Sequence, residues 1–229
     1  MRMATKTVII TAGGIGKRMG SDLPKQFLLL DDLPVLAHSI ERFHRVDPEI
    51  QILVTLPDTW RTYWEGLCRK ISFKIPHTLV DGGKERFHSI RNALKLVTGE
   101  LVAVHDGVRP LVSRKLIFEA FQLAEESGTA LPVVPVKESV RFVEKLETRA
   151  LNRKNYFIVQ TPQVFRREVL QKSYELPYHE GITDDASLAE EAGYEIRLLE
   201  GEEFNVKITT PFDLKLIRLI YEENKSFYE

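Results

Sequence analysis

Apolar residues fall along this chain in short runs whose spacing switches between the strand period and the helix period. Thr7 to Thr11 (TVIIT) is a β-branched run that predicts a buried strand, and a glycine-rich turn, Gly13 to Gly20, comes directly after it. Pro34 to Val46 predicts a helix, with Leu36, Ile40 and Phe43 on one face. Ile50 to Leu56 is a second buried strand. Lys84 to Val97 carries Phe87, Ile90, Leu94 and Val97 at helical spacing, and Leu101 to Val104 is a short apolar strand ending at His105-Asp106. Ser113 caps a helix bearing Leu116, Ile117, Ala120, Phe121 and Ala124. Ala130 to Val136 is extended but interrupted by Pro132 and Pro135. Beyond Gly181, TDDASLAEEAG is a short capped helix and Tyr194 to Leu199 a strand. The last helix has a clear start, with Thr210 as N-cap, Pro211 at the first helical position and Asp213 three residues past the cap.

Strands alternating with amphipathic helices predict an α/β fold with a mainly parallel sheet and helices on both faces. Ligands of such sheets bind outside the carboxyl ends of the strands, so the residues just after Thr11, Val80 and Val104 are the candidate site. The alternation breaks between Lys137 and Asn155. Ser139 to Leu146 alternates, Arg149 to Asn155 is polar, and Tyr156 to Val159 is again strand-like. This predicts a β-hairpin arm, at about 137–157, projecting from a single domain that spans 1–229. Either a second subunit covers its apolar positions or the hairpin folds back on its own domain.

Composition narrows the function classes. Lys and Arg total 32 and Asp and Glu 33, a net charge of −1, so no global charge draws the chain to nucleic acid or to a membrane surface. No basic aromatic run suggests a nucleic-acid partner. Stretches without a charged residue reach only about ten residues, short of the ~20 that a membrane helix needs. Cys68 is the sole cysteine, which excludes an internal disulfide framework and a thiolate zinc cluster. A cytoplasmic location is the expectation.

The richest chemistry lies in Thr11-Ala12-Gly13-Gly14-Ile15-Gly16-Lys17-Arg18-Met19-Gly20, then Leu23-Pro24-Lys25-Gln26-Phe27. Glycines directly after a first strand let backbone approach a ligand and aim N–H groups at phosphates. The dinucleotide fingerprint fails because Met19 stands where its third glycine belongs, and the P-loop fails because Arg18 replaces the hydroxyl residue after Gly16-Lys17. A glycine loop carrying Arg18 and Lys25 suits a polyphosphate. Asp106, just past an apolar strand, sits where a metal-binding or substrate-orienting carboxylate belongs, or else caps a turn. Arg109 can pair with it or meet a phosphate. Lys207 lies in a strand-like Val206–Thr209 segment and by itself reads as a solvated strand-edge lysine. Asp184 and Asp185 diverge on the helix they begin and read as charge complementing its dipole. The six histidines lack ligand spacing, and His105 reads as structural.

The ordered set G-G-x-G-x-R-M-G…P-K-Q-F, Asp81-Gly82-Gly83 with Arg86 and Ser89, His105-Asp106-Gly107-Val108-Arg109-Pro110, Gln160-Thr161-Pro162-Gln163, Thr183-Asp184-Asp185-Ala186 and Asn205-Val206-Lys207-Ile208-Thr209 resembles the 2-C-methyl-D-erythritol 4-phosphate cytidylyltransferase family over nearly the whole chain. The resemblance implies a Rossmann-like nucleotidyltransferase fold whose β-arm crosses to the other subunit of a homodimer. It implies that Gly14, Gly16, Arg18 and Lys25 hold the CTP phosphates, with Arg18, Lys25 and Lys207 catalytic. Backbone around Ala12, Gly13 and Gly82, with the Ser89 hydroxyl, would read the cytosine, and Gly107 would let the ribose pack on backbone. Asp106, Arg109, Ser139, Arg153 and Thr161 would bind the methylerythritol phosphate, with Ser139, Arg153 and Thr161 placed on the arm and reaching from the opposite subunit. Mg²⁺ would accompany the triphosphate, with Asp106 as its candidate ligand. The reaction implied is cytidylyl transfer from CTP to the substrate phosphate, with release of pyrophosphate. D-ribitol-5-phosphate cytidylyltransferase is the nearest alternative, and a non-catalytic nucleotide-binding module is the alternative from another class.

Overall fold

A computed structural model describes residues 4–14 and 23–225. Its elements in the first half are β1 (Lys6–Thr11), the short pair β2 (Leu29–Leu30) and β3 (Leu33–Pro34), α1 (Val35–Val46), β4 (Gln51–Leu56), α2 (Arg61–Lys70), β5 (Thr78–Asp81), α3 (Arg86–Leu94) and β6 (Leu101–Asp106). Next come α4 (Arg114–Ser127), β7 (Thr129–Pro135), β8 (Val140–Glu144), β9 (Glu147–Leu151), β10 (Phe157–Val159) and β11 (Gln163–Arg166). The chain closes with α5 (Arg167–Ser173), α6 (Asp185–Glu191), β12 (Leu198–Glu200) and α7 (Pro211–Glu223).

The central sheet has the order β10-β7-β11-β6-β1-β4-β5, with β12 also paired to β7. β6, β1, β4 and β5 are mutually parallel, whereas β11 runs antiparallel to both β6 and β7. The unbroken apolar runs of the sequence are explained by burial on both faces. Along β1, Val8 and Ile10 enter a core shared with Leu36, Ile40, Phe43 and Phe121, while Ile9 enters the opposite core with Ile90, Val104 and Leu170. Each such fully buried side chain contributes about 1.5–3 kcal/mol relative to exposure.

Local rules set several boundaries. Ser113 Oγ accepts from Leu116 N at the start of α4, and Gly128, at φ 94°, ends that helix in the left-handed conformation that glycine adopts without a Cβ penalty. Both α6 and α7 open with reciprocal capping boxes, Asp184 with Ser187 and Thr210 with Asp213. α7 then packs Leu214, Ile217 and Tyr221 against Val35, Val108, Leu111 and Ile208, which fixes the segment just before it.

Three expectations change. Tyr156 to Val159 is not part of the arm: Phe157–Val159 returns to the main sheet as β10, antiparallel to β7. The projecting hairpin is therefore β8–β9, whose strands pair only with each other. Tyr194 to Leu199 gives only a three-residue strand, shifted to Leu198–Glu200. Val206–Thr209 is not a strand at all: its backbone bonds are a local one, Val206 N to Phe204 O, and one to the β6–α4 connection, Ile208 N to Val108 O, rather than a ladder.

Candidate active site

Strands β5, β4, β1 and β6 end side by side, and the chain leaving β1, β5 and β6 is pinned in each case by a further backbone bond. Ala12 N donates to Thr55 O at 3.0 Å, Gly82 N to Leu56 O at 3.0 Å and Gly107 N to Thr11 O at 2.9 Å. Outside these ends lies a cavity of about 350 Å³. Its walls include the turn Ala12–Gly14, Lys25 and Gln26, the approach to α3 from Gly83 to Arg86 with Ser89, and Asp106, Val108 and Lys207. This is the strand-end position expected for ligands of a parallel sheet. No described residue lies within 4 Å of where a Cβ on Gly13 would stand, so among these residues the turn presents bare backbone to the cavity.

Asp106 is the electrostatic centre. Its Oδ2 accepts from Arg109 Nε at 3.0 Å and lies 3.1 Å from Lys207 Nζ. Burial alone would raise its carboxyl, but Lys207, Arg86 and Arg109 outweigh burial and hold it far below the usual carboxylate range. The carboxylate is anchored from beneath. Asp106 N donates to Thr161 Oγ1 at 3.1 Å, and that hydroxyl also meets His105 Nδ1 at 3.1 Å. His105 Nε2 faces Arg109 O, and Arg109 Nη1 donates to Asn205 O at 2.7 Å. Burial lowers His105 to about 4, so it is neutral at pH 7 and serves this network as a hydrogen-bonding partner. Lys25 Nζ donates to Ile208 O at 2.8 Å, which joins the base of the glycine loop to the Lys207 segment.

The structure thus brings Ala12, Gly13, Gly14, Lys25, Ser89, Asp106 and Lys207 around one cavity. Gly16 and Arg18 lie outside the described residues. Several of the expected site residues already have partners within the protein. Ala12 N is committed to Thr55 and its carbonyl accepts from Gln26 Nε2 at 2.7 Å, while Gly82 N is committed to Leu56. Ser89 Oγ accepts from Gly83 N and donates to Glu85 O, so its proton already has an acceptor. A Cβ on Gly107 would come within 3.1 Å of Ile10, Leu36 and Thr11 atoms, so this glycine permits close packing on β1 and α1. Arg109 is buried and pairs with Asp106, as one of its two expected roles has it, and Nη1 donates to Asn205 O. Thr161 is buried behind Asp106 and is not on the arm. Ser139 and Arg153 are exposed, and neither lines the cavity. Arg153 donates to Lys137 O at the base of the hairpin.

Sequence reasoning left Arg86 and Asp185 without site roles. Arg86 lines the cavity, and its Nη2 donates at 2.6 Å to the fully buried Asp185. Asp185 is therefore no mere complement to the α6 dipole; Asp184 alone caps that helix. The available signal was a pair of adjacent acids at one helix start where a cap needs only one.

A parallel sheet that ends in an open glycine turn, with lysines and an ionised carboxylate converging on the same cavity, defines an α/β protein built for phosphoryl chemistry on a nucleotide. Comparison with known proteins narrows the class. The chain belongs to the 2-C-methyl-D-erythritol 4-phosphate cytidylyltransferase family, whose model matches residues 6–223, and it is a nucleotidyltransferase. A relative of that name from Porphyromonas gingivalis is 48% identical over 215 residues, covering 93% of this chain and 96% of the relative. Another from Phocaeicola vulgatus is 45% identical over 214 residues, covering 93% and 98%. Among solved structures, 4-diphosphocytidyl-2C-methyl-D-erythritol synthase from Anaerococcus prevotii superposes with a TM-score of 0.82 at 25% identity, covering 96% of this chain and 99% of that one. The 2-C-methyl-D-erythritol 4-phosphate cytidylyltransferase of Thermus thermophilus gives 0.78 at 29% identity, covering 96% and 100%. The central sheet and its flanking helices agree with this fold. The ribitol-phosphate alternative is not favoured by these matches.

Proposed function

We propose that this cavity binds CTP and transfers its cytidylyl group to 2-C-methyl-D-erythritol 4-phosphate. The observation that carries the reading is the placement of Asp106, ionised between Lys207 and Arg109, in one cavity with the glycine turn and Lys25. A phosphate oxygen of the acceptor attacks the α-phosphorus of CTP in line. The bond from that phosphorus to the bridging oxygen of the β-phosphate breaks, and its electron pair leaves with pyrophosphate. A phosphate dianion is nucleophilic at neutral pH, so the chain needs to supply positioning and charge rather than a strong base. Gly13 and Gly14 would hold the triphosphate with Lys25. Lys207, aligned by Asp106, would bridge the acceptor phosphate and the reacting phosphorus. Arg18 is assigned to the same triphosphate.

Mg²⁺ belongs to this proposal as a companion of the triphosphate. Among the described residues no group of three His, Cys, Asp or Glu could hold a metal. Asp106 engages both cations through Oδ2, and Glu85 is the other carboxylate on the cavity wall, so the described walls offer two acids and no preformed cage. That donor set fits an ion carried mainly by substrate phosphates. When bound, Mg²⁺ offsets charge on the triphosphate.

Dimerisation through the arm completes the proposal. Phe142, Val143 and Leu146 on the hairpin are exposed, and so are Phe157, Ile158 and Val159 on β10 beside it. Exposed apolar side chains in this number suit a second copy. Ser139 and Arg153 would then serve the partner's cavity, with Arg153 clamping the acceptor phosphate. No helix among the described residues is long and apolar enough to cross a membrane, and the proposed site of action is the cytoplasm.

Two outcomes test the roles. Lys25→Ala should lower kcat by roughly 10²–10³-fold, the range for removing one transition-state donor, whereas near-wild-type kcat would remove Lys25 from the chemistry. If sites are shared, inactive Asp106→Asn and Arg153→Ala proteins, unfolded and refolded together, should regain activity that neither has alone. Mixed protein as inactive as its parents would mean that the sites are not shared between subunits.

A further inference from the structure

The proposed reaction leaves one buried carboxylate unused. Asp185 is fully buried at the start of α6, 99 residues along the chain from Arg86. Its Oδ2 accepts from Arg86 Nη2 at 2.6 Å and its Oδ1 accepts from Tyr174 Oη at 2.6 Å. Tyr174 is itself buried and stacks on Phe87, the residue after Arg86, with ring centroids 4.8 Å apart. The end of α6 is fixed in turn by Gln163 of β11, whose amide donates to Asp184 Oδ2 and accepts from Ala186 N. Both oxygens of Asp185 are thus occupied, one by a rigid phenol and one by the guanidinium.

Arg86 is different. It is partly exposed on the cavity wall, and its charge is felt at Asp106. Of its five N–H donors, the bond to Asp185 engages one. A guanidinium gripped at one edge by a buried acid presents its remaining edge in a fixed direction. Burial would weaken Arg86's hold on its proton, but Asp185, Tyr174 and Asp106 more than restore it. The cation is therefore permanent.

We infer that Arg86 is a ligand-binding residue that contacts a phosphoryl oxygen in the cavity, and that Asp185 and Tyr174 are positioning residues acting through it. The inference rests on the proposed function for the identity of that ligand. A nucleotide phosphate and the acceptor phosphate share the chemistry, and separate KM values for CTP and for the acceptor distinguish them. Orientation of a contact residue by a buried partner is where losses of roughly 10–100-fold arise when the partner is removed.

The test is a double-mutant cycle on the full-length protein with CTP, Mg²⁺ and 2-C-methyl-D-erythritol 4-phosphate. Asp185→Asn and Arg86→Lys should each lower kcat/KM at least about 10-fold, with one KM rising, and the double variant should be little worse than Arg86→Lys alone. Asp185→Glu should recover part of the loss. Losses that multiply in the double variant would overturn the coupling. So would an Asp185→Asn protein with kcat/KM within about twofold of wild type and only a lower Tm, since that marks a purely structural acid. Tyr174→Phe removes one oxygen without stranding a charge and carries the same cycle if Asp185→Asn does not fold. Wild-type turnover in the same assay separates the two readings. Turnover with multiplicative losses overturns the coupling alone, whereas no turnover overturns the function first and the assigned role of Arg86 with it.

Discussion

Lys207→Ala is expected to lower kcat/KM by roughly 10²–10³-fold while the protein remains folded. The side chain is 42% exposed and reaches Asp106 across the cavity mouth, so its removal opens no hole in the core. Asp106 keeps Arg109 at 3.0 Å and the field of Arg86, so the carboxylate stays ionised. What is lost is a cation aimed at the reacting phosphates, where charge grows as pyrophosphate departs. Steady-state kinetics beside a thermal melt check this. A variant with unchanged kcat/KM would return Lys207 to a solvated surface residue, which is how its local sequence alone reads.

Asp106→Asn should be costlier, because it damages both activity and stability. Arg109 is buried and sends Nε to this carboxylate, and Lys207 takes its direction from the same oxygen. Neutralising the acid strands a buried guanidinium, a loss of about 3–5 kcal/mol when no partner replaces it. Asn retains one acceptor oxygen, so the lower end applies, and at about 2–4 °C per kcal/mol the Tm should fall by roughly 10 °C. Activity should drop by at least about 10²-fold as Lys207 loses its alignment. A variant that melts like wild type would mean that Arg109 is held by Asn205 alone and that the carboxylate is not its anchor.

Much of this architecture was legible in the sequence because the relevant rules act over a few residues. The runs at β1, β4 and β6 are apolar throughout since both faces are covered, and the caps at Ser113, Asp184 and Thr210 are spelled within four positions. The strand-end rule then located the cavity after Thr11, Val80 and Val104. Three kinds of information were out of reach. Arg86 and Asp185 meet only through the tertiary fold, so nothing within a helical turn of either announces the other. The return of Phe157–Val159 to the sheet was hidden because this edge strand leaves all three side chains exposed and so resembles the arm before it. Thr161 and Arg109 meet Asp106 through the fold, and spacing alone does not show that both brace the same residue. Gly107 is the same lesson in backbone form: small because Ile10 and Leu36 crowd it.

The most direct measurement is pyrophosphate release from CTP and Mg²⁺, with 2-C-methyl-D-erythritol 4-phosphate and D-ribitol 5-phosphate as parallel acceptors. Release with methylerythritol phosphate and none above background with ribitol phosphate is the predicted result. Release with ribitol phosphate alone would contradict the assigned acceptor, and silence with both, from protein that still binds CTP, would contradict cytidylyl transfer at this cavity.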